Sequence, residues 1–262
     1  ASYVRAQRAP SAAELFSFGP HIGTRTYEIG ALYELEDEHF EFHGETPELE
    51  TSNNLDLSFK KFGGDFGIVF NVFYNQVDNY YYQTATGLFA DDGHDHDHDH
   101  GEGDEHGEEE SGELPVFIFQ TDDVILHGFE AQVAWQINDE FNATVFSDLV
   151  RARLKDGGDL PRTPPVRFGT QFSYQTARLS AHLDVTRYQS QDKVADFETS
   201  TSGYTLVDLS VSYDLPILND NLSVFFKGNN LTDTEARVHT SFLKDIAPRP
   251  GRNLSIGVKG YF

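Results

Sequence analysis

The stretch RNLSIGVKGYF, residues Arg252–Phe262, alternates apolar and polar side chains with a period of two residues. Successive side chains of a β-strand point to opposite faces of its sheet, so this pattern predicts a strand with one apolar and one polar face. The apolar face would carry Leu254, Ile256, Val258 and Phe262, and the polar face Ser255, Gly257, Lys259 and Tyr261.

The same period recurs along the whole chain. In the segment that begins at Val116, Phe129, Val133 and Trp135 fall on one face, while Glu130 and Gln132 fall on the other. A tilted strand needs about 9–11 residues to cross a bilayer. We predict ten strands, at Ala1–Arg8, Glu50–Lys61, Asp65–Tyr82, Val116–Ile137, Glu140–Arg153, Val166–Tyr174, Arg178–Gln189, Tyr204–Asp214, Asn221–Asn229 and Arg252–Phe262.

The connections between these strands alternate strictly between long and short. In outer-membrane barrels, tight turns face the periplasm and long loops face outward. The pattern therefore predicts an all-β fold, an antiparallel transmembrane β-barrel with long extracellular loops and a periplasmic C-terminus. A soluble all-β repeat with amphipathic strands is the alternative. The long connections are 9–49, 83–115, 154–165, 190–203 and 231–251, and the short ones centre on 63–64, 138–139, 175–176 and 216–220.

Composition excludes several classes of protein. The 262 residues carry a formal net charge of −24, which argues against a nucleic-acid partner. The absence of Cys excludes disulfides, thiolate metal sites and Cys nucleophiles. No apolar run has the 18 or so residues of a membrane-spanning helix. Because the chain lacks Met and opens with ASYVRAQR, which reads as the middle of a strand, we expect it to be part of a longer protein.

The negative charge is concentrated in two segments. Asp91–Glu113 holds 12 acidic residues and Glu34–Glu50 holds 8, and neither contains Lys or Arg. The rest of the chain has a net charge of only −4. Such composition disfavours a buried core, so we expect both segments to be solvated loops outside the cell.

The segment Asp91–Glu113 contains side chains that can bind metal ions. His94, His96, His98 and His100 alternate with Asp95, Asp97 and Asp99, and His106 follows. In an extended chain the four alternating His would share one face at about 6.6 Å spacing, twice the strand rise. Imidazole and carboxylate suit Zn²⁺, and imidazole also suits Cu²⁺ and Ni²⁺. Capture should weaken as the pH falls towards and below about 6.5. A hydrated acidic loop is the alternative.

Several motifs in order carry a family resemblance. Together they resemble the C-terminal half of TonB-dependent outer-membrane receptors, over essentially the whole chain. The motifs are RAPSAAELF (Arg8–Phe16), GPHIGTRTYEIG (Gly19–Gly30), ETSNNLDL (Glu50–Leu57), HGFEAQV (His127–Val133), DLPRTPPVRF (Asp159–Phe168), YTLVDLSVSY (Tyr204–Tyr213) and NNLTDTEARVHTSFLKDIAPRPGRN (Asn229–Asn253), with the terminal Phe262.

The resemblance implies a 22-stranded barrel with an N-terminal plug domain, of which these strands would be the last ten. The plug and the segment that contacts the TonB energy-coupling complex would then precede this chain, and outer-membrane lipid would surround the barrel. A complete ten-stranded barrel is the structural competitor. No Ser/His/Asp arrangement sits at a recognised nucleophile elbow, so we expect no enzymatic activity and no catalytic cofactor.

Within that family, the His/Asp-rich loop and GPHIGTRTYEIG are most similar to the zinc-uptake (ZnuD-type) branch. This implies import of zinc, with His21 contributing to a defined site or, alternatively, packing its own loop. His39 and His43 would form a second collecting patch unless they belong to a solvated loop. His182 and Asp184 would share the inner face. Nickel, copper, haem or a metal chelate are alternative cargoes, and a surface barrel that binds metal without importing it is a further alternative.

Overall fold

The structure is a computed structural model that describes residues 1–36, 39–44, 47–90, 113–217 and 222–260. None of the described helices has the length and apolar character needed to cross a membrane. The elements are β1 (Ser2–Arg8), α1 (Ala12–Phe16), β2 (Phe18–His21), β3 (Thr26–Ile29), β4 (Tyr33–Glu36), β5 (His39–Phe42), β6 (Glu50–Lys61), β7 (Phe66–Ala90), β8 (Leu114–Gln136), β9 (Phe141–Leu154), β10 (Arg167–Gln175), β11 (Leu179–Tyr188), β12 (Tyr204–Leu215), β13 (Leu222–Asn229) and β14 (Asn253–Gly260).

Ten of these strands form one antiparallel wall. Their order is β1-β6-β7-β8-β9-β10-β11-β12-β13-β14, so each strand pairs with the next wall strand along the chain. Tight turns and long connections alternate between them, as the sequence predicts. The ten predicted strands are thus confirmed, and most of their ends lie within one or two residues of the predicted positions.

The wall has an apolar face and a polar face. On the apolar face, the cross-strand row Ile68, Val133, Val145, Thr170, Val185 and Val207 runs through six strands. On the polar face, the row Thr144, Gln171, Asp184 and Asp208 runs through four strands. Apolar side chains on the first face lack a protein cover, since Val145 is 55% exposed. This face is therefore suited to lipid.

The first long connection is folded, which corrects the expectation that Glu34–Glu50 is only a solvated loop. It contains α1 and four short strands. Ser11 caps α1 by accepting a hydrogen bond from the Glu14 backbone N–H (3.2 Å), and the Glu14 carboxylate accepts one from the Ser11 N–H (2.7 Å). Arg8 donates to both Glu14 oxygens, each at 2.9 Å, and to Glu50 at 2.7 Å. The base of the connection is therefore tied to the ends of β1 and β6.

The second long connection is shorter than predicted. We expected a loop from 83 to 115, but β7 continues to Ala90 and β8 already begins at Leu114. The register between them shifts between Val77 and Tyr80, where Asn79 has a φ of 55°. Such a bulge moves the later side chains to the other face, so the alternation of apolar and polar residues is interrupted and the sequence pattern does not show the rest of the strand.

The extension of β8 leaves an edge that β9 does not reach, because β9 pairs with β8 only from Val124 onward. Strand β3 occupies that edge in parallel, with Tyr27 opposite Val116 and Ile29 opposite Ile118. This pairing carries the first long connection onto the wall.

Three small buried clusters anchor the long connections. Leu160 packs with Val77, Val124 and Ala152. Ile29 packs with Val116 and Ile118, and Ala236 packs with Tyr204 and Leu206. In each cluster a residue from a long connection is buried against wall residues, so the connections have defined positions above the wall.

Candidate metal centre

A β-hairpin formed by β4 and β5 carries the clearest group of metal-ligating side chains in the described part of the chain. Its register pairs Glu34 with Glu41 and Glu36 with His39. The His43 N–H donates to the Leu32 carbonyl at 2.7 Å, which extends the ladder by one pair. Because alternate residues share a face, all five side chains lie on one side of the hairpin.

Three of these side chains converge. One oxygen each of Glu34 and Glu36 and one ring nitrogen of His43 lie within 4.8 Å of one another. We call Glu34, Glu36 and His43 the hairpin triad. The His43 Nε2 atom lies 3.4 Å from Glu36 Oε1, is shielded from solvent and has no hydrogen-bond partner. Two carboxylates and one imidazole form a ligand set that suits Zn²⁺ and leaves a fourth position open.

The opposite face of the hairpin fixes its position. Tyr33 and Phe40 pack against the cluster of Ile29, Val116 and Ile118. The ring centroids of Tyr33 and Phe42 are 5.4 Å apart, and those of Tyr33 and Phe18 are 5.0 Å apart. The alternation of apolar and charged residues in YELE and HFEF therefore builds an amphipathic hairpin whose charged side faces away from the cluster.

A cavity of about 750 Å³ adjoins the triad through Glu34. It lies between the hairpin, the extended parts of β7 and β8, and the connections 155–166 and 189–203. No Lys, Arg or His is found among the described residues that line it. Its acidic lining residues are Glu34, Asp122, Asp159 and Asp196, of which Asp159 forms an ion pair with Arg151. The unbalanced carboxylates favour a cation over an anion.

His21 lies at the end of β2 and is exposed. Its Nδ1 accepts a hydrogen bond from the Thr24 backbone N–H at 3.3 Å and contacts the Thr24 hydroxyl at 2.9 Å. A neutral ring in this arrangement carries its proton on Nε2, and metal binding at Nε2 would require the proton to move to Nδ1, which would break the hydrogen bond from the Thr24 N–H. His21 belongs to no ligand group within the described ranges, and its assignment to a metal site stays a prediction.

Two histidines of the wall, His127 and His182, contact neighbouring side chains. His127 lies on the apolar face beside Tyr74, with ring centroids 6.5 Å apart. His182 lies on the polar face, as expected, and its two ring nitrogens contact Ser173 (3.0 Å) and Ser180 (3.3 Å). The residues His94, Asp95, His96, Asp97, His98, Asp99, His100 and His106 lie outside the described residues.

A buried polar network holds the third, fourth and fifth long connections together. Glu198 accepts hydrogen bonds from the backbone N–H groups of Arg162 (2.9 Å) and Ala195 (3.0 Å). The buried His239 ring lies 3.3 Å from Glu198 and contacts Thr201 at 3.0 Å. Burial raises the pKa of Glu198, but the His239 imidazole and the two N–H donors outweigh it and leave the pKa below its ordinary value. His239 is thus a structural residue.

Comparison with known proteins places this architecture. Residues 1–231 match the family described as TonB dependent receptor-like, beta-barrel. The copper transporter OprC is similar over 99% of this chain and 36% of that one, with 15% identity and a TM-score of 0.71. A mutant of the ferric enterobactin receptor PfeA of Pseudomonas aeruginosa matches 98% of this chain and 37% of that one, with 17% identity and a TM-score of 0.63.

The FrpB iron transporter of Neisseria meningitidis matches 81% of this chain and 30% of that one, with 14% identity and a TM-score of 0.56. At these identities the likeness shows the fold alone. The chain spans about a third of the length of the structures that it matches.

Proposed function

The chain belongs to the family of TonB-dependent receptor-like β-barrels, and on that premise we propose that it takes part in the import of a metal ion, zinc, across the outer membrane. Membership in this receptor family gives an outer-membrane location and a transport role instead of an enzymatic one. Energy coupling through TonB is part of the proposal, because the matched family is one of TonB-dependent receptors.

The observation that carries the choice of cargo is the alternating segment His94–His100 in the connection between β7 and β8. The last described residue before the segment, Ala90, packs against the same cluster as Phe40 of the hairpin. Ala90, which precedes the segment in the sequence, therefore lies beside the hairpin. Imidazole and carboxylate ligands of the segment would collect divalent cations.

Copper is the second candidate cargo. The general affinity order of divalent metals places Cu²⁺ above Zn²⁺ for nitrogen ligands, and a copper transporter is among the similar structures. Iron chelates have less support from the site, because the cavity carries acidic side chains and many such chelates are anionic.

Zinc accumulation by zinc-starved cells tests the proposal. In the full-length receptor, replacement of His94, His96, His98 and His100 by Asn removes the imidazoles and keeps every Asp. We expect this variant to accumulate zinc at a rate at least about fivefold lower at limiting zinc concentration. The matched control replaces Asp95, Asp97 and Asp99 by Asn, keeps the imidazoles, and should lose less. Equal accumulation by the wild type and the His variant would refute the segment's role.

Adding His21→Gln to the His variant separates the contribution of His21 from that of the segment His94–His100. A further fall in accumulation would support His21 as a ligand. No further fall would assign it to loop packing alone. Replacement of zinc by copper in the same cells distinguishes the two cargoes.

A further inference from the structure

We propose that the hairpin triad is a metal site in its own right, which binds one bare divalent cation independently of the His/Asp segment. The inference deepens the proposed function, because the site would receive the cation that the segment collects. It rests on residues that the structure describes, whereas the segment lies outside them.

The triad is a mixed ligand set. Glu34 and Glu36 come from one strand and His43 from the end of the next, so the hairpin register brings together groups that are nine residues apart. Two carboxylates alone would repel each other, and one His–Glu pair alone would be an ordinary surface contact. Convergence of all three within 4.8 Å provides one nitrogen and two oxygen ligands for a single ion.

The imidazole of His43 has a nitrogen without a hydrogen-bond partner. The Nε2 atom of His43 is shielded from water and has no hydrogen bond, and the atom facing it is a carboxylate oxygen at 3.4 Å. If the lone pair of the ring is on Nε2, it and the carboxylate oxygen repel each other at this distance. A cation between them would satisfy both, and so would a proton on the ring.

Glu34 belongs to the triad and also lines the cavity. The described lining of this cavity contains carboxylates and no basic group. An ion held by Glu34 would therefore lie next to an acidic space, and an open coordination position allows water to exchange onto the ion. The ligand class is thus a hydrated or bare divalent cation, and an anionic metal chelate does not fit.

Equilibrium binding to the full-length, detergent-solubilised receptor tests the site. All five imidazoles of the segment are first removed by substitution of His94, His96, His98, His100 and His106 by Asn. Zn²⁺ affinity is then measured by competition with a chelating dye. We expect this variant still to bind one Zn²⁺ ion per receptor tightly. His43→Gln and Glu34→Gln should each weaken this binding at least about tenfold, whereas His182→Gln, which removes an imidazole held by two Ser, should not.

Electron paramagnetic resonance of bound Cu²⁺ provides a readout that a folding defect would not mimic. Coordination by the triad predicts hyperfine coupling to a single imidazole nitrogen, and this coupling should vanish in His43→Gln while the carboxylate-bound signal persists. Absence of a tight equivalent in the segment variant, or unchanged coupling in His43→Gln, would overturn the proposal and would point to a protonated His43 paired with Glu36. Because these measurements involve no transport, they can fail while zinc import stands, and the reverse also holds.

Discussion

At the scale of single residues, Glu198 is a carboxylate held among the long connections by several partners. Its side chain is 9% exposed, and the His239 side chain beside it is fully buried. The Glu198 carboxylate joins the connection 189–203 to Arg162 in the connection before it and to His239 in the connection after it. A buried carboxylate stabilises this arrangement only while it is ionised. Protonation weakens its contacts with the N–H groups of Arg162 and Ala195 and with His239.

Glu198→Gln should therefore loosen the long connections without disturbing the wall. The change keeps the shape of the side chain but removes its charge, and we expect a local loss of about 1–3 kcal/mol. Hydrogen exchange of peptides from 189–203 measures this loss. The control is Glu235→Gln, since Glu235 is 66% exposed in its pair with Arg237, and exposed pairs contribute at most about 1 kcal/mol. Equal protection in wild type and Glu198→Gln would contradict the structural role.

The pH dependence of this contact has a definite sign. The pKa of Glu198 is lower in the folded protein than its ordinary value of 4.5. Its stabilisation is therefore fully present above about 4.5 and is lost as the pH falls through the lower folded value. Protection of 189–203 should fall with acidification in this range in the wild type, and Glu198→Gln should show a flatter profile.

At the scale of elements, the position of the hairpin depends on Gly30. Its N–H donates to the Ser17 carbonyl at 2.6 Å, and the next residues bond back to α1, with the Leu32 N–H donating to the Leu15 carbonyl at 3.3 Å. A Cβ atom on residue 30 would collide with that same backbone carbonyl of Leu15. Backbone cannot yield as a side chain does, so a glycine is required where β3 leads into β4.

Gly30→Ala should displace the hairpin from α1. We expect a local destabilisation of about 1–3 kcal/mol, which is typical of overpacking, and weaker Zn²⁺ binding at the triad. Hydrogen exchange of the first long connection and dye competition measure the two effects. Gly67→Ala is the control, because its Cβ would make only an ordinary contact, 3.9 Å from that of Ala134. Unchanged exchange in Gly30→Ala would show that the connection can adjust.

The elements also show which parts of the fold a sequence can predict. The two-residue period predicts the wall strands, because each strand has one face in an apolar environment and the other in a polar environment along its whole length. This period does not predict the end of β7, since the bulge near Asn79 exchanges the faces to which odd- and even-numbered side chains point. The sequence does not predict the hairpin, because the apolar face of the hairpin consists of only four aromatic or aliphatic residues. Its triad depends on the cross-strand register, which the spacing of residues along the chain does not encode.

At the scale of the whole molecule, charge and polarity are sorted by environment. Most of the −24 net charge belongs to two connections, while the wall keeps a row of apolar residues on one face and polar residues on the other. Since apolar side chains of the described wall are exposed and the family is one of outer-membrane barrels, this face is suited to contact with lipid. Stability must therefore depend on which face a substitution touches, even for adjacent residues of the same strand.

Val133 and Gln132 provide that comparison. Val133 lies on the apolar face between Ile68 and Val145, and Gln132 lies on the polar face between Val69 and Phe146. An Arg near the middle of the lipid-facing surface of a barrel costs about 2–4 kcal/mol, whereas an Arg on the inner surface remains hydrated. Urea unfolding of the full-length receptor in phospholipid vesicles should therefore show a loss of that size for Val133→Arg and a much smaller one for Gln132→Arg. Equal losses, or a larger loss for Gln132→Arg, would reverse the assignment of the two faces.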